Sequence, residues 1–175
     1  MHRDQHVPQT LPSRRLHVSI PGHPAHRLRP GTANGWEQPV VIVLAVDFGT
    51  RRLGLALGNT ELRTAVPLPP LRRRDLAHDV DCLKRLQKEY DVESLLFGRP
   101  SNMDGTPGRM QAAAENFANH LRKQLELPLD WQDERLTSVA ADELLSDREP
   151  DPFKRKALLD SVAAMLFLND FLESQ

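Results

Sequence analysis

Cysteine is nearly absent from this chain: Cys82 is the one thiol in 175 residues. No intrachain disulfide and no multi-cysteine zinc site can form. Long apolar runs are missing as well. None exceeds the seven residues of Val40 to Val46, against about 20 needed to cross a bilayer. The first residues show no basic-then-apolar leader pattern, so no membrane partner is expected and a reduced, cytoplasmic setting is the default. Neither charge sign is in excess: 23 Lys and Arg meet 24 Asp and Glu, a formal −1. That excludes a uniformly basic coat for nucleic acid but leaves room for local basic patches. Aromatic residues are only 5% of the chain, so base stacking is not advertised. No internal repeat is visible. What remains, 39% apolar and 27% charged residues, is the balance of a soluble globular domain.

Composition shifts near residue 39. Residues 1–39 hold six of the 14 prolines and five of the seven histidines. The prolines interrupt every candidate helix, and five arginines face two acids. A disordered basic tail is expected there. Residues 40–175 form the expected folded domain, with 18 Lys and Arg against 22 Asp and Glu, a formal −4. That length is enough to fold alone.

Val40 to Val46 reads as a strand buried on both faces. Asp47 to Arg52 reads as a turn, Leu53 to Gly58 as a second strand, and Leu62 to Leu68 as a weaker third strand ending among Pro67, Pro69 and Pro70. Leu76, Val80, Leu83, Leu86 and Tyr90 follow helical spacing, with Asp75 as N-cap and Cys82 on the apolar face. Ser94 to Phe97 is a short strand closed by Gly98. Pro107 to Leu125 is a helix with Ala114, Phe117, Leu121 and Leu125 inward. Leu127 to Gln132 is the fifth strand; helices follow at Thr137 to Leu145 and from Phe153 or Lys154 to Leu172. The order βββαβαβαα predicts an α/β fold, a five-stranded mixed sheet with helices on both faces, in the order of ribonuclease H-like domains.

Three acidic positions stand out. Asp47 follows the most buried strand, at the carboxyl edge where ligands collect in open α/β sheets. Asp133 and Glu134 end the fifth strand, which is expected near the first but not beside it. Asp160 shares a helix face with Ala157, Ala163, Ala164 and Phe167. An acid in that small, apolar stripe needs a partner or a cation, and Lys154 and Lys156 are candidate partners. Carboxylates gathered at one edge repel by roughly 4 kcal/mol per pair at about 4 Å and an effective dielectric of about 20. Divalent cations relieve that, and hard oxygens suit Mg²⁺ or Mn²⁺. Two such ions can serve in-line phosphodiester hydrolysis. Gly49, Thr50, Arg51 and Arg52 supply a close-approach glycine and phosphate-binding arginines. The loop from Gly98 to Gly108 leads into a helix N-terminus and carries Asn102, Asp104 and Thr106. Further basic clusters are Arg72 to Arg74 and Lys154 to Lys156; each can be a solvated face or a grip on a phosphate backbone.

Leu44-Ala-Val-Asp-Phe-Gly-Thr-Arg-Arg-Leu-Gly54, Phe97-Gly-Arg-Pro-Ser-Asn-Met-Asp-Gly-Thr106, Asp133-Glu-Arg-Leu-Thr-Ser138 and Leu159-Asp-Ser-Val-Ala-Ala164 occur in this order. Together they resemble the YqgF family of pre-16S ribosomal RNA nucleases, also described as Holliday junction resolvases. The resemblance spans about residues 43–174. It implies a ribonuclease H-like fold, with Asp47, Glu134 and Asp160 in the catalytic, metal-binding positions. It also implies cytoplasmic action in maturation of the 5′ end of 16S rRNA. Substrate contacts are then expected from Gly49, Thr50, Arg51, Arg52, Arg99, Asn102, Asp104, Thr106 and Arg135. Arg99 departs from the family pattern, which has an apolar residue there; Gly58-Asn59 also departs, and residues 1–39 lie outside it.

The expected partner is nucleic acid: RNA such as a pre-16S rRNA, with branched DNA as the alternative. No apolar helix face is left over for a large interface, so a monomer or weak dimer is expected. A non-catalytic nucleic-acid binder is a further alternative. An ATPase of the actin and sugar-kinase type also carries Asp-x-Gly-Thr, but needs two such domains and more than twice this length.

Overall fold

The computed structural model describes residues 40–99, 109–133, 137–146 and 151–175. The expected tail, the Gly98–Gly108 loop from residue 100 onward, and Glu134 and Arg135 lie outside the described residues. The elements are β1 (Ile42–Phe48), β2 (Arg52–Asn59), β3 (Thr64–Arg72), α1 (Leu76–Tyr90), β4 (Ser94–Arg99), α2 (Arg109–Leu125), β5 (Leu129–Asp133), α3 (Thr137–Ser146) and α4 (Pro152–Glu173). The sheet order is β3-β2-β1-β4-β5. β1 pairs antiparallel with β2 and parallel with β4, and β4 pairs parallel with β5. β1 and β5 are near but not side by side, as expected; β4 lies between them.

Strand parity sorts the core. Leu44, Val46 and Phe48 of β1 and Leu53, Leu55 and Leu57 of β2 join Val80 and Leu83 of α1 and Ala114, Phe117, Leu121 and Leu125 of α2. Val43, Ala45, Ala56 and Leu96 face the other way, against Ala164, Phe167, Leu168 and Leu172 of α4. α3 packs on α4 through Ala141 and Leu145. Helices therefore do cover both faces.

Several boundaries differ from the sequence reading. β1 runs on to Phe48, because pairing with β2 continues through Asp47↔Gly54 and Phe48↔Leu53. Asp47 is thus a strand residue, not a turn residue. β3 runs from Thr64 to Arg72, straight through its three prolines. It is an edge strand, where a missing N–H costs no ladder bond on the open side. Its register with β2 slips between Leu53 and Leu55. β4 continues past Gly98 to Arg99. β5 is Leu129 to Asp133 rather than 127–132. In α1, Asp75 caps as expected, accepting the His78 N–H at 2.8 Å. Leu76, however, is 43% exposed, while Asp79 is 1% exposed. The buried face includes that acid because Arg73 neutralises it.

Candidate active site

Asp47 has the parity of Val43 and Ala45, so its side chain belongs to the α4 face of the sheet. Its cross-strand partner is Gly54. A Cβ at Gly54 would stand 2.1 Å from the backbone oxygen of Asp160 and 2.3 Å from its carbonyl carbon. The helix therefore lies against bare β2 backbone, and that close approach brings Asp160 beside Asp47. One residue on, the Leu55 N–H donates to Ser161 Oγ at 3.2 Å. This bond sits at the β2–β3 irregularity and pins α4 in place; a buried bond of this kind contributes about 1 kcal/mol.

The two carboxylates feel each other. Burial, and then the charge of Asp160, push Asp47 up from the ordinary 3.8 to about 7. Asp160 is also raised by burial, against the lowering pull of Arg52. Arg52 Nε lies 3.4 Å from Asp160 Oδ2, at a half-buried edge. The partner of Asp160 among the described residues is thus Arg52, at the start of β2. The expected pairing with Lys154 or Lys156 falls on side chains outside the described set.

The β1–β2 turn carries Gly49, Thr50 and Arg51. The Gly49 N–H donates to the Arg52 carbonyl at 3.0 Å, and a Cβ at Gly49 would sit 2.5 Å from that oxygen. Closure of the hairpin therefore already requires this glycine. Arg73, just after β3, holds the turn from outside. Its Nη1 donates to the Gly49 carbonyl at 3.1 Å, and its backbone N–H to the Arg51 carbonyl at 3.0 Å. Its Nε reaches Asp79 Oδ2 at 2.8 Å. The guanidinium lies 4.6 Å from the Phe48 ring centre and 4.8 Å from that of Phe117. Phe117, Phe97 and Trp131 continue the row, and the Arg99 guanidinium lies 5.8 Å from the Trp131 ring centre.

Of the expected site residues, the structure brings together Asp47, Asp160 and Arg52, with Gly49, Thr50 and Arg51 in the adjoining turn. Arg99 stands at the end of β4, in register with Asp133 of β5. The parallel strands β1, β4 and β5 end at one edge, and Glu134 follows Asp133 in the chain. Glu134, Arg135, Asn102, Asp104 and Thr106 lie outside the described residues. Sequence reasoning missed Gly54, Ser161 and the anchoring role of Arg73. The signal for Arg73 was Asp79, an acid on an apolar helix face that needed a buried cation.

Asp47 and Asp160 supply the hard oxygens that Mg²⁺ or Mn²⁺ accept. Both hold their protons above the ordinary carboxylate range, Asp160 through burial and Asp47 through burial and the charge of Asp160; a nearby cation would favour the ionised forms. Among the described residues no group of three or more His, Cys, Asp or Glu is gathered for a metal.

The family model described as RuvX, Holliday junction resolvase, matches residues 41–174. The chain belongs to that family. A RuvX-family relative from Moorella thermoacetica, named "Putative pre-16S rRNA nuclease", is 39% identical over 131 residues, covering 75% of this chain and 94% of the relative. Another of that name, from Actinobacillus pleuropneumoniae serotype 7, is 38% identical over 133 residues, covering 76% and 97%. Among solved structures, Thermus thermophilus RuvC in complex with a Holliday junction substrate is similar at a TM-score of 0.50 and 13% identity, covering 77% of this chain and 94% of that one. Fowlpox virus resolvase in complex with Holliday junction DNA matches at 0.50 and 11%, covering 77% and 98%. At such identities the likeness is one of fold: the RuvX-family chain has the ribonuclease H-like architecture of these resolvases.

Proposed function

We propose that this protein is a divalent-metal-dependent nuclease that cuts single-stranded RNA, with action in the cytoplasm on the 5′ end of pre-16S rRNA. The observation that carries the chemistry is the Asp47–Asp160 pair, forced together where α4 meets Gly54. Asp47, Asp160 and Glu134 would hold the metal, Mg²⁺ or Mn²⁺. When bound, such an ion lowers the pKa of water and stabilises charge on the leaving oxygen. Asp47, buried and elevated, is the group most changed by a cation, since ionising it costs the apo protein most. Arg52 steadies the Asp160 carboxylate at the rim. Arg51 and the Gly49–Thr50 turn face the place where a phosphate backbone would arrive, with Asn102, Asp104, Thr106, Arg99 and Arg135 as further candidate contacts.

The relatives' names support the RNA reading. The formal −4 of residues 40–175 also fits poorly with gripping four duplex arms. A second reading, resolution of branched DNA, is favoured by the family description itself. It requires paired symmetric cuts and hence a two-fold dimer, whereas we expect a monomer or weak dimer. Initial rates on a single-stranded RNA and on a mobile four-way DNA junction, at equal salt and Mn²⁺, separate the two. Faster RNA cleavage is expected; paired symmetric nicks on the junction, outpacing the RNA, would overturn it. Asp47→Asn and Asp160→Asn should each remove most cleavage with the fold intact by circular dichroism. Near wild-type turnover in Asp160→Asn would sink the carboxylate site.

A further inference from the structure

A cavity of about 550 Å³ opens where the β1–β2 turn, the end of β3 and the start of α1 meet. Arg51, Arg72, Arg73 and Arg74 line it together with Asp75 and Asp79. We propose that this cavity holds a phosphate of a single-stranded nucleic-acid substrate, a few nucleotides from the bond that is cut. The proposal rests on the nuclease reading for its substrate class, and on the cavity for its location.

The two acids in the cavity are already engaged. Asp79 accepts the Arg73 Nε at 2.8 Å and the Arg74 N–H at 3.2 Å. Asp75 caps α1. Arg51, Arg72 and Arg74 are exposed and converge on the same space from two chain segments. Four arginines against two acids give this spot a formal +2, in a domain of formal −4. The two segments that carry them are held together. Arg73 does the holding: by binding the Gly49 and Arg51 carbonyls it fixes the turn against the end of β3. Guanidinium forks match phosphate oxygens in pairs, so three exposed ones around one cavity suit a phosphodiester or a terminal phosphate.

The location suits a strand running into the acidic pair. Thr50, which also lines the cavity, is three residues from Asp47, at most about 11 Å of chain. Arg72 is the cross-strand partner of Arg52, whose guanidinium touches Asp160. Cavity and carboxylates therefore share one hairpin at one end of the sheet, the cavity on its α1 side and the carboxylates on its α4 side, so a strand crossing the β1–β2 turn links them.

The test measures binding of the full-length protein, in EDTA, to short single-stranded RNAs of one sequence ending in a 5′-phosphate or a 5′-hydroxyl. Arg72→Ala/Arg74→Ala is compared with wild type across a salt series. For every phosphate the variant no longer neutralises, the slope of log K against log salt should flatten by about 0.7, with weakening uniform over sequences. Arg72→Lys/Arg74→Lys should restore most of the slope, which a purely structural role would not predict. A loss confined to the 5′-phosphate RNA assigns the cavity to a terminal phosphate; an equal loss on both assigns it to an internal phosphodiester. An unchanged slope in the alanine variant overturns the proposal, as does a dependence on these arginines that appears only with a four-way DNA junction. Because binding is read without metal, absence of cleavage by wild type would sink the nuclease reading while leaving a flattened slope as support for the cavity.

Discussion

Replacing Gly54 by alanine tests directly how the two acids are brought together. The added methyl would lie 2.1 Å from the Asp160 carbonyl oxygen and 2.9 Å from the Asp160 Cβ. Carbon contacts are comfortable at about 3.5 Å, so the helix or the strand has to give by more than about 1 Å. Neither partner is the tip of a flexible side chain; the nearest atoms are backbone, and α4 is further tied by the Ser161–Leu55 bond. Gly→Ala gains up to about 1 kcal/mol from a less free unfolded chain, but overpacking costs about 1–3 kcal/mol, occasionally more. The clash wins, and the melting temperature should fall by several degrees, at a few degrees per kcal/mol. The effect on cleavage should be larger. A displacement of about 1 Å at a reacting centre can cost roughly a hundredfold, and Asp160 moves with the helix. Gly58→Ala is the control: the atoms nearest its Cβ would be side-chain carbons, Leu168 Cδ2 and Leu172 Cδ1 at 3.0 Å and Leu168 Cγ at 3.1 Å. Those side chains can turn aside, so cleavage should stay within about threefold of wild type if the displacement logic holds. Scanning calorimetry and single-turnover cleavage of RNA read both quantities. Wild-type cleavage by Gly54→Ala, or equal losses in the two variants, would refute the idea that this one contact sets the acidic pair.

The raised Asp47 gives a pH signature. Its folded-state value of about 7 lies above the unfolded 3.8, so the stability it contributes is fully present below about pH 4 and is lost as pH rises through 7. That span corresponds to ~4 kcal/mol at most, less with solvent screening at a half-buried edge. In EDTA, Asp47→Asn should therefore gain melting temperature relative to wild type between pH 4 and 8; parallel curves would contradict the coupling. Arg73→Met should destabilise by about 3–5 kcal/mol, because it strands the buried Asp79 charge; a urea midpoint equal to wild type would refute the anchor. Deleting residues 1–38 should leave the melting transition within about 2 °C, since under about 1 kcal/mol is at stake; a broad or much earlier transition would show that the segment packs on the domain.

The sequence by itself determined the element order, the inward faces and two of the acids. Alternation of period two and stripes of period three to four are local properties of the chain, and burial follows them. Val43, Ala45 and Asp47 share a face because a strand leaves no alternative, and Asp160 betrayed itself as an acid among alanines. The tertiary structure decided what depends on distant partners. Which strand lies at the edge, and hence whether Pro67, Pro69 and Pro70 interrupt β3, depends on neighbours that no local pattern encodes. Asp79 could be buried in place of Leu76 only because Arg73 arrived from the end of β3. The proton affinity of Asp47 arises from its enclosure and from a carboxylate 113 positions away in the chain. Charge energies depend on separation and dielectric, and both were set when α4 settled onto the bare backbone of Gly54.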